Sequence, residues 1–157
     1  EQEPALLEHF EFRPLCSADL PAVLRILFSW KGEAHLGLES WSEESLRREL
    51  SRKGSFGLFS LNGQMRAFLM VRKNSPEDWE VMLLAVKKNW ARRGLMRRLL
   101  QEFQVSLGLG TGLFLEVHAD NQRAIQFYNS LGFEVLSRRY AYYVDGADAL
   151  VYRFQSH

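Results

Sequence analysis

Glu116, His118, Glu80 and Tyr128 are the side chains in this sequence best suited to moving a proton in a reaction. Glu116 lies inside "GLFLEVHA", where Leu113, Leu115 and Val117 alternate with Phe114, Glu116 and His118. That period puts the two sets on opposite faces of a strand. A carboxylate there faces water, a partner or a cleft, because an unpaired buried charge is costly. In a cleft, desolvation suits it to act as a general base; on an open face it is a solvated strand residue. His118 shares the face as a second candidate base, or is a surface histidine near a strand end. Glu80, on the strand expected beside it, is a third. Tyr128 shares a helix face with Ala124, Ile125 and Leu131. It is either a core tyrosine with a bonded hydroxyl or a phenol that gives a proton to a leaving group.

A second constellation is "AVKKNWARRGLMRRLL", Ala85 to Leu100. An apolar strand stops, a basic loop with Gly94 follows, and an amphipathic helix begins. Free N–H groups at a helix start attract anions, and glycine allows close backbone approach. Arg92, Arg93, Arg97 and Arg98 add donors and charge. The same residues also fit an ordinary strand-to-helix turn with a solvated basic face, since one glycine is a thin signal.

The elements that must position these groups follow from periodicity and turn chemistry. "FEFRPL" reads as a first strand, and Ser17 as the cap of a helix over "ADLPAVLRILFSW" with Asp19 in its first turn. "WSEESLRREL" reads as a helix capped by Ser42, with Trp41 packing on Leu46. Asn62-Gly63 between two apolar segments predicts a hairpin with a type I′ turn. "WEVMLLAV" is a nearly continuous apolar strand, expected to be central. Leu95, Leu99, Leu100 and Phe103 give the next segment a helical period. Asn121 caps a short helix that Gly132 ends, and the tail reads as a second hairpin around Asp145-Gly146. The expected class is α/β with a mixed sheet, antiparallel at first and parallel where a helix joins two strands.

Composition sets limits. The chain has 157 residues, which favours one domain over residues 1–157. Its 46% hydrophobic and 25% charged content is that of a folded chain. A net charge of +1 argues against a dedicated nucleic-acid binder. Cys16 is the only cysteine, so no internal disulfide or cysteine zinc cluster forms. "EQEPALLEHFEFRPL" lacks the features of a signal peptide, and no apolar run is long enough to cross a membrane. A soluble cytoplasmic protein without nucleic-acid or membrane partners is expected.

Together, "LLAVKKNWARRGLMRRLL", "LEVHADNQRAIQFYNSLGFE" and "RRYAYYVDGADALVYRF" resemble the GNAT superfamily of acetyl-CoA-dependent N-acetyltransferases. Within it they look most like the bacterial ribosomal-protein alanine N-acetyltransferases. The likeness runs from "FEFRPLCSADLPAVLRI" to "DALVYRF". Its most specific part is L-E-V followed by N-x-x-A-I-x-x-Y-x-x-L-G-F. The resemblance implies a GNAT-like acyl-CoA N-acyltransferase fold, a central mixed sheet flanked by helices and splayed where acetyl-CoA lies. It implies direct acetyl transfer to an amine, with no acyl-enzyme and no metal. By resemblance, the main chain of Leu84, Ala85 and Val86 pairs with the pantetheine arm. Arg92, Arg93, Gly94, Leu95, Met96 and Arg97 form the pyrophosphate loop, and Asn121 contacts the cofactor arm. Glu116 is the base that deprotonates the amine, and Tyr128 the acid that protonates the departing thiolate. Tyr142 and Tyr143 contact the acceptor. That acceptor is expected to be the α-amine of a protein or peptide, such as a ribosomal protein. A free small-molecule amine is one alternative, and a CoA-binding sensor domain without transfer is another.

The loop departs from the family pattern Q/R-x-x-G-x-G/A at both ends, with Ala91 first and Met96 last. Ala91 removes a polar brace or cofactor contact. Met96 weakens binding if it turns toward the diphosphate; turned into the helix packing, it leaves the amides usable. Lys88 stands where the family commonly has proline.

Overall fold

The computed structural model describes residues 9–32 and 41–157; residues 1–8, which open the stretch read above for an export signal, lie outside it. Strand β1 is Glu11–Pro14. Ser17 does not cap a helix as expected: Ser17–Asp19 is a 3₁₀ turn, and helix α1 runs Leu20–Phe28. Asp19 takes the capping role because its carboxylate reaches back to the Cys16 N–H at 2.9 Å, while Arg13 pairs with it at 3.6 Å. Helix α2, Glu43–Ser51, starts where expected. Ser42 Oγ accepts the Ser45 N–H at 3.1 Å, and Trp41 packs on the core that contains Leu46.

Strands β2 (Phe56–Phe59) and β3 (Met65–Ser75) form the first hairpin, but its turn is not type I′. Within it only Gly63 has positive φ, at 81°, so the loop has three residues. Gly63 N–H donates to Ser60 O at 2.8 Å, and Ser60 N–H to Gln64 O at 2.9 Å. Asn62 stays right-handed and uses its side chain instead, accepting the Gln64 N–H at 3.2 Å. The same device recurs around Gly146 (φ 82°), where Asp145 Oδ1 accepts the Ala147 N–H at 2.9 Å.

The chain continues as β4 (Asp78–Val86), α3 (Leu95–Ser106), β5 (Gly112–His118), α4 (Gln122–Ser130), β6 (Glu134–Arg139) and β7 (Ala149–Gln155). Hydrogen bonds order the strands β1-β2-β3-β4-β5-β7-β6, a mixed sheet as expected. β4 and β5 pair parallel, and their ladder covers only Asp78–Glu80 against Gly112–Phe114. β5 and β6 also have a helix between them, yet they do not pair. β7 comes between them, antiparallel to both, and pairs with β5 from Gly112 to His118. Tyr142 and Tyr143 therefore lie on the loop over residues 140–148, between the two strands of the last hairpin.

Two compact units emerge: one takes the described residues through Arg72 plus Met82–Phe103, the other Lys73–Val81 and Gln104–His157. In the first, Val23 and Ile26 of α1 and Leu46 and Leu50 of α2 are buried in one cluster with Phe68, Met70 and Leu83. In the second, Leu113, Leu115 and Val117 of β5 are 0%, 3% and 4% exposed. Burying each such side chain stabilises by about 1.5–3 kcal/mol. Three on one face fix the orientation of β5, and Glu116 and His118 turn to the other face as a result.

Candidate active site

In the second unit, Glu116 is half-buried and its carboxylate is already engaged. Arg139 Nε lies 3.3 Å from Glu116 Oε1, and the Tyr142 hydroxyl donates to the same carboxylate. That hydrogen bond, then the Glu116 charge, push the Tyr142 phenol above its ordinary pKa, and Glu80 adds to the effect. Burial, then Glu116, do the same for Tyr143. The Arg139 side chain is 57% exposed. A pair this open to water is worth roughly 0–1 kcal/mol and is readily exchanged.

Both His118 ring nitrogens have partners. Its Nδ1 accepts the Asp120 N–H at 3.2 Å, and its Nε2 meets Asp145 Oδ2 at 2.8 Å. Its ring stacks on Tyr143 at 4.8 Å. Both nitrogens are committed to holding the chain around β5 and the 140–148 loop. Glu80 Oε2 accepts from Asn74 Nδ2 at 2.9 Å.

Asn121 is the N-cap of α4, as expected: its Oδ1 accepts the Ala124 N–H at 3.1 Å. Its Nδ2 makes no hydrogen bond among the described residues. Tyr128 packs edge-on against Phe127 and Phe133, with centroids at 5.2 and 5.6 Å. Burial pushes its phenol up to about 12. Among the described residues no hydrogen bond holds its hydroxyl, and none joins it to Glu116. A phenol with so high a pKa keeps its proton at neutral pH.

In the first unit, the end of β4 presents main chain to a ligand selectively. Lys87 N–H donates to Arg66 O of β3 at 2.7 Å. Of the three residues expected along the pantetheine arm, strand alternation turns the main-chain groups of Ala85 to the β3 side as well, and those of Leu84 and Val86 away from it. Val86 O is also taken, by Trp30 Nε1 at 2.6 Å, and the Lys88 N–H is taken by Ser29 Oγ at 3.0 Å.

Beyond β4, Lys88–Trp90 form a 3₁₀ turn and Ala91 is extended. Arg92 and Gly94 both take positive φ, 63° and 78°. A left-handed arginine costs about 1–2 kcal/mol, and such strain concentrates at binding sites. The first intrahelical bond of α3 is Arg98 N–H to Gly94 O at 3.0 Å. The amides of Leu95 and Met96 lie ahead of it, and Gly94 has no side chain to cap them. Met96 is half-buried. Positive φ at Arg92 and Gly94 and the free first-turn amides are compatible with an anion site at this turn.

Arg139, Trp30 and Arg66 carry geometry that the sequence did not flag. "RRY" advertised charge at Arg139 but not its partner, which comes from a strand distant in the chain. Trp30 looked like the last apolar residue of a helix. Among the described residues no group of three or more His, Cys, Asp or Glu could hold a metal. No helix of these residues is long and apolar enough to cross a membrane.

A half-buried carboxylate on one strand and a phenol that keeps its proton on the following helix are a pair able to move protons. The mixed sheet and the uncapped basic helix end place the chain among the α/β acyltransferases. It matches the acetyltransferase (GNAT) family over residues 20–133 and belongs to that family. The [ribosomal protein bS18]-alanine N-acetyltransferase of Escherichia coli K12 is 33% identical over 141 residues, 86% of this chain and 90% of that protein. The crystal structure of the ribosomal-protein-S18-alanine N-acetyltransferase from Escherichia coli matches with TM-score 0.77 at 30% identity, covering 94% of each chain. The N-alpha-acetyltransferase RimI of Mycobacterium tuberculosis H37Rv is 29% identical over 131 residues, 80% of this chain and 82% of that protein. An uncharacterized Mycobacterium leprae protein is 43% identical over 79 residues, and this chain spans 22% of its length.

Proposed function

We propose that the chain transfers the acetyl group of acetyl-CoA to the N-terminal α-amine of a protein, with a ribosomal protein as the leading acceptor. The observation that carries this reading is β5 and the helix after it: Glu116 on the open face, Asn121 at the cap and Tyr128 with its proton held. The names of relatives alike over most of the chain support the same acceptor class. We place the work in the cytoplasm, with residues 1–157 acting as one domain; the family match runs through both compact units.

The amine nitrogen attacks the thioester carbonyl carbon, forming the C–N bond as the C–S bond breaks. Roughly a tenth of an α-amine is neutral at pH 7, so a modest base suffices. Glu116 takes the amine proton, and the weak Arg139 contact and Tyr142 yield to the incoming nitrogen. Tyr128 gives its proton to the departing sulfur. Leu84 and the α3 amides would hold the pantetheine and diphosphate of the donor, with Arg92, Arg93 and Arg97 nearby in the loop. The Tyr142–Tyr143 loop receives the acceptor.

Mixing the protein with acetyl-CoA and peptides of varied N-terminal residue, and following free thiol, tests the mechanism. Glu116→Gln and Tyr128→Phe should each lower kcat/KM by about 10²–10⁴. Turnover that survives both substitutions would sink it. A free polyamine or amino acid acetylated faster than every peptide would move the acceptor to small amines.

A further inference from the structure

We propose that His118 is a positioning residue for the acceptor: with Asp145 it latches the 140–148 loop to β5 and holds Tyr142 and Tyr143 beside Glu116, where the amine arrives. This rests on the reading that the acceptor approaches Glu116 past those two tyrosines. His118 Nδ1 accepts the Asp120 N–H at 3.2 Å, so the ring proton sits on Nε2, which donates to Asp145 Oδ2 at 2.8 Å. The His118 ring stacks on Tyr143 with centroids at 4.8 Å. Tyr143 in turn meets Tyr142 edge-on, at 5.2 Å and 87°. The Tyr142 hydroxyl ends the series on the Glu116 carboxylate.

The latch has a firm side and a loose side. His118 and Glu116 share one face of β5, and the buried Leu115 and Val117 between and beside them fix that face. The loop has no such burial: Tyr140, Tyr142 and Val144 are all exposed. Asp145 joins the two sides. Its Oδ1 accepts the Ala147 N–H at 2.9 Å while its Oδ2 meets His118, so one carboxylate closes the turn and ties it to the strand. The Gly146 N–H donates to Tyr143 O at 2.9 Å, which carries the tie on to the stacked ring. The stack restricts both tyrosine side chains before the acceptor comes, so less ordering remains to oppose binding. That effect belongs to acceptor affinity and not to the bond-making step.

Steady-state kinetics with a peptide acceptor test this on the wild type, His118→Ala and His118→Gln. Alanine removes the ring and both nitrogens, whereas the glutamine amide N–H lies about where Nε2–H was and keeps the bond to Asp145. His118→Ala should raise the peptide KM by about three- to tenfold and leave kcat and the acetyl-CoA KM nearly unchanged. His118→Gln should recover part of that loss. A loss confined to kcat would assign His118 to proton transfer and overturn the proposal. An unchanged peptide KM, or a glutamine variant no better than alanine, overturns it as well. Hydrogen exchange at the Gly146 and Ala147 amides reads the same latch without turnover: it should quicken in His118→Ala and slow again in His118→Gln. Unaltered exchange overturns the latch while peptide turnover by the wild type leaves the acetyltransferase reading standing. A wild type that acetylates no peptide overturns that reading, and with it the role of the latch.

Discussion

In the proposed mechanism Glu116 and Tyr128 would divide the chemistry between a carboxylate held loosely and a phenol that keeps its proton. Arg139 and Tyr142 engage Glu116 from exposed positions, so its contacts are exchangeable. Tyr128 is half-buried, packed among aromatic rings, and ionises at about 12 rather than 10.0. A raised phenol pKa means that the folded state favours the neutral form. Its contribution to stability is complete below the unfolded value and is lost as pH rises from about 10 to 12. Alkaline titration of tyrosinate absorbance should therefore lose a late step near 12 in Tyr128→Phe. Loss of an ordinary step near 10 instead would contradict the burial argument.

At the scale of elements, two tethers matter most. Asp148 ties down the 140–148 loop: Oδ1 accepts the Ala141 N–H at 2.8 Å, and Oδ2 accepts from Arg138 Nη1 at 2.7 Å. The Ala141 amide first, then Arg138, hold its carboxyl below the usual range. The tether is complete above the ordinary carboxylate value and is lost as pH falls through the lowered one. Asp148→Ala should speed hydrogen exchange at the Ala141 amide and raise KM for the peptide, with little change in kcat. Unaltered exchange would rule the tether out. The other tether is Trp30 on Val86 O. Trp30→Phe removes a hydrogen bond worth about 1 kcal/mol and frees a main-chain acceptor on the side of β4 that faces away from β3. The ligand-free Tm should fall while the thermal shift produced by CoA grows; a shift no larger than the wild type's counts against that edge as the pantetheine contact.

Across the whole molecule, the features readable in advance were those that local chemistry dictates. Alternation on β5 was enough to turn Glu116 outward, and Asn121 capped α4 as its type and place required. Ser17 misled because the neighbouring Asp19 offers a stronger acceptor. Asn62-Gly63 and Asp145-Gly146 marked their hairpins correctly, but side-chain bonding at Asn62 and Asp145 favours other turns than type I′, and the second sits inside the longer 140–148 loop. The insertion of β7 between β5 and β6 has no local signature, since it depends on Glu116 meeting Val151 and its neighbours far along the chain. Arg139 at Glu116 and Arg66 on Trp90 are long-range contacts of the same kind. The central claim, transfer to an α-amine, is tested most directly by fragment mass spectrometry. A peptide beginning with alanine and carrying an internal lysine is incubated with acetyl-CoA and the protein. One acetyl group on the α-amine, absent with Glu116→Gln, is the predicted result. An acetyl group on the lysine side chain, or an unmodified peptide from protein that binds CoA, would contradict it.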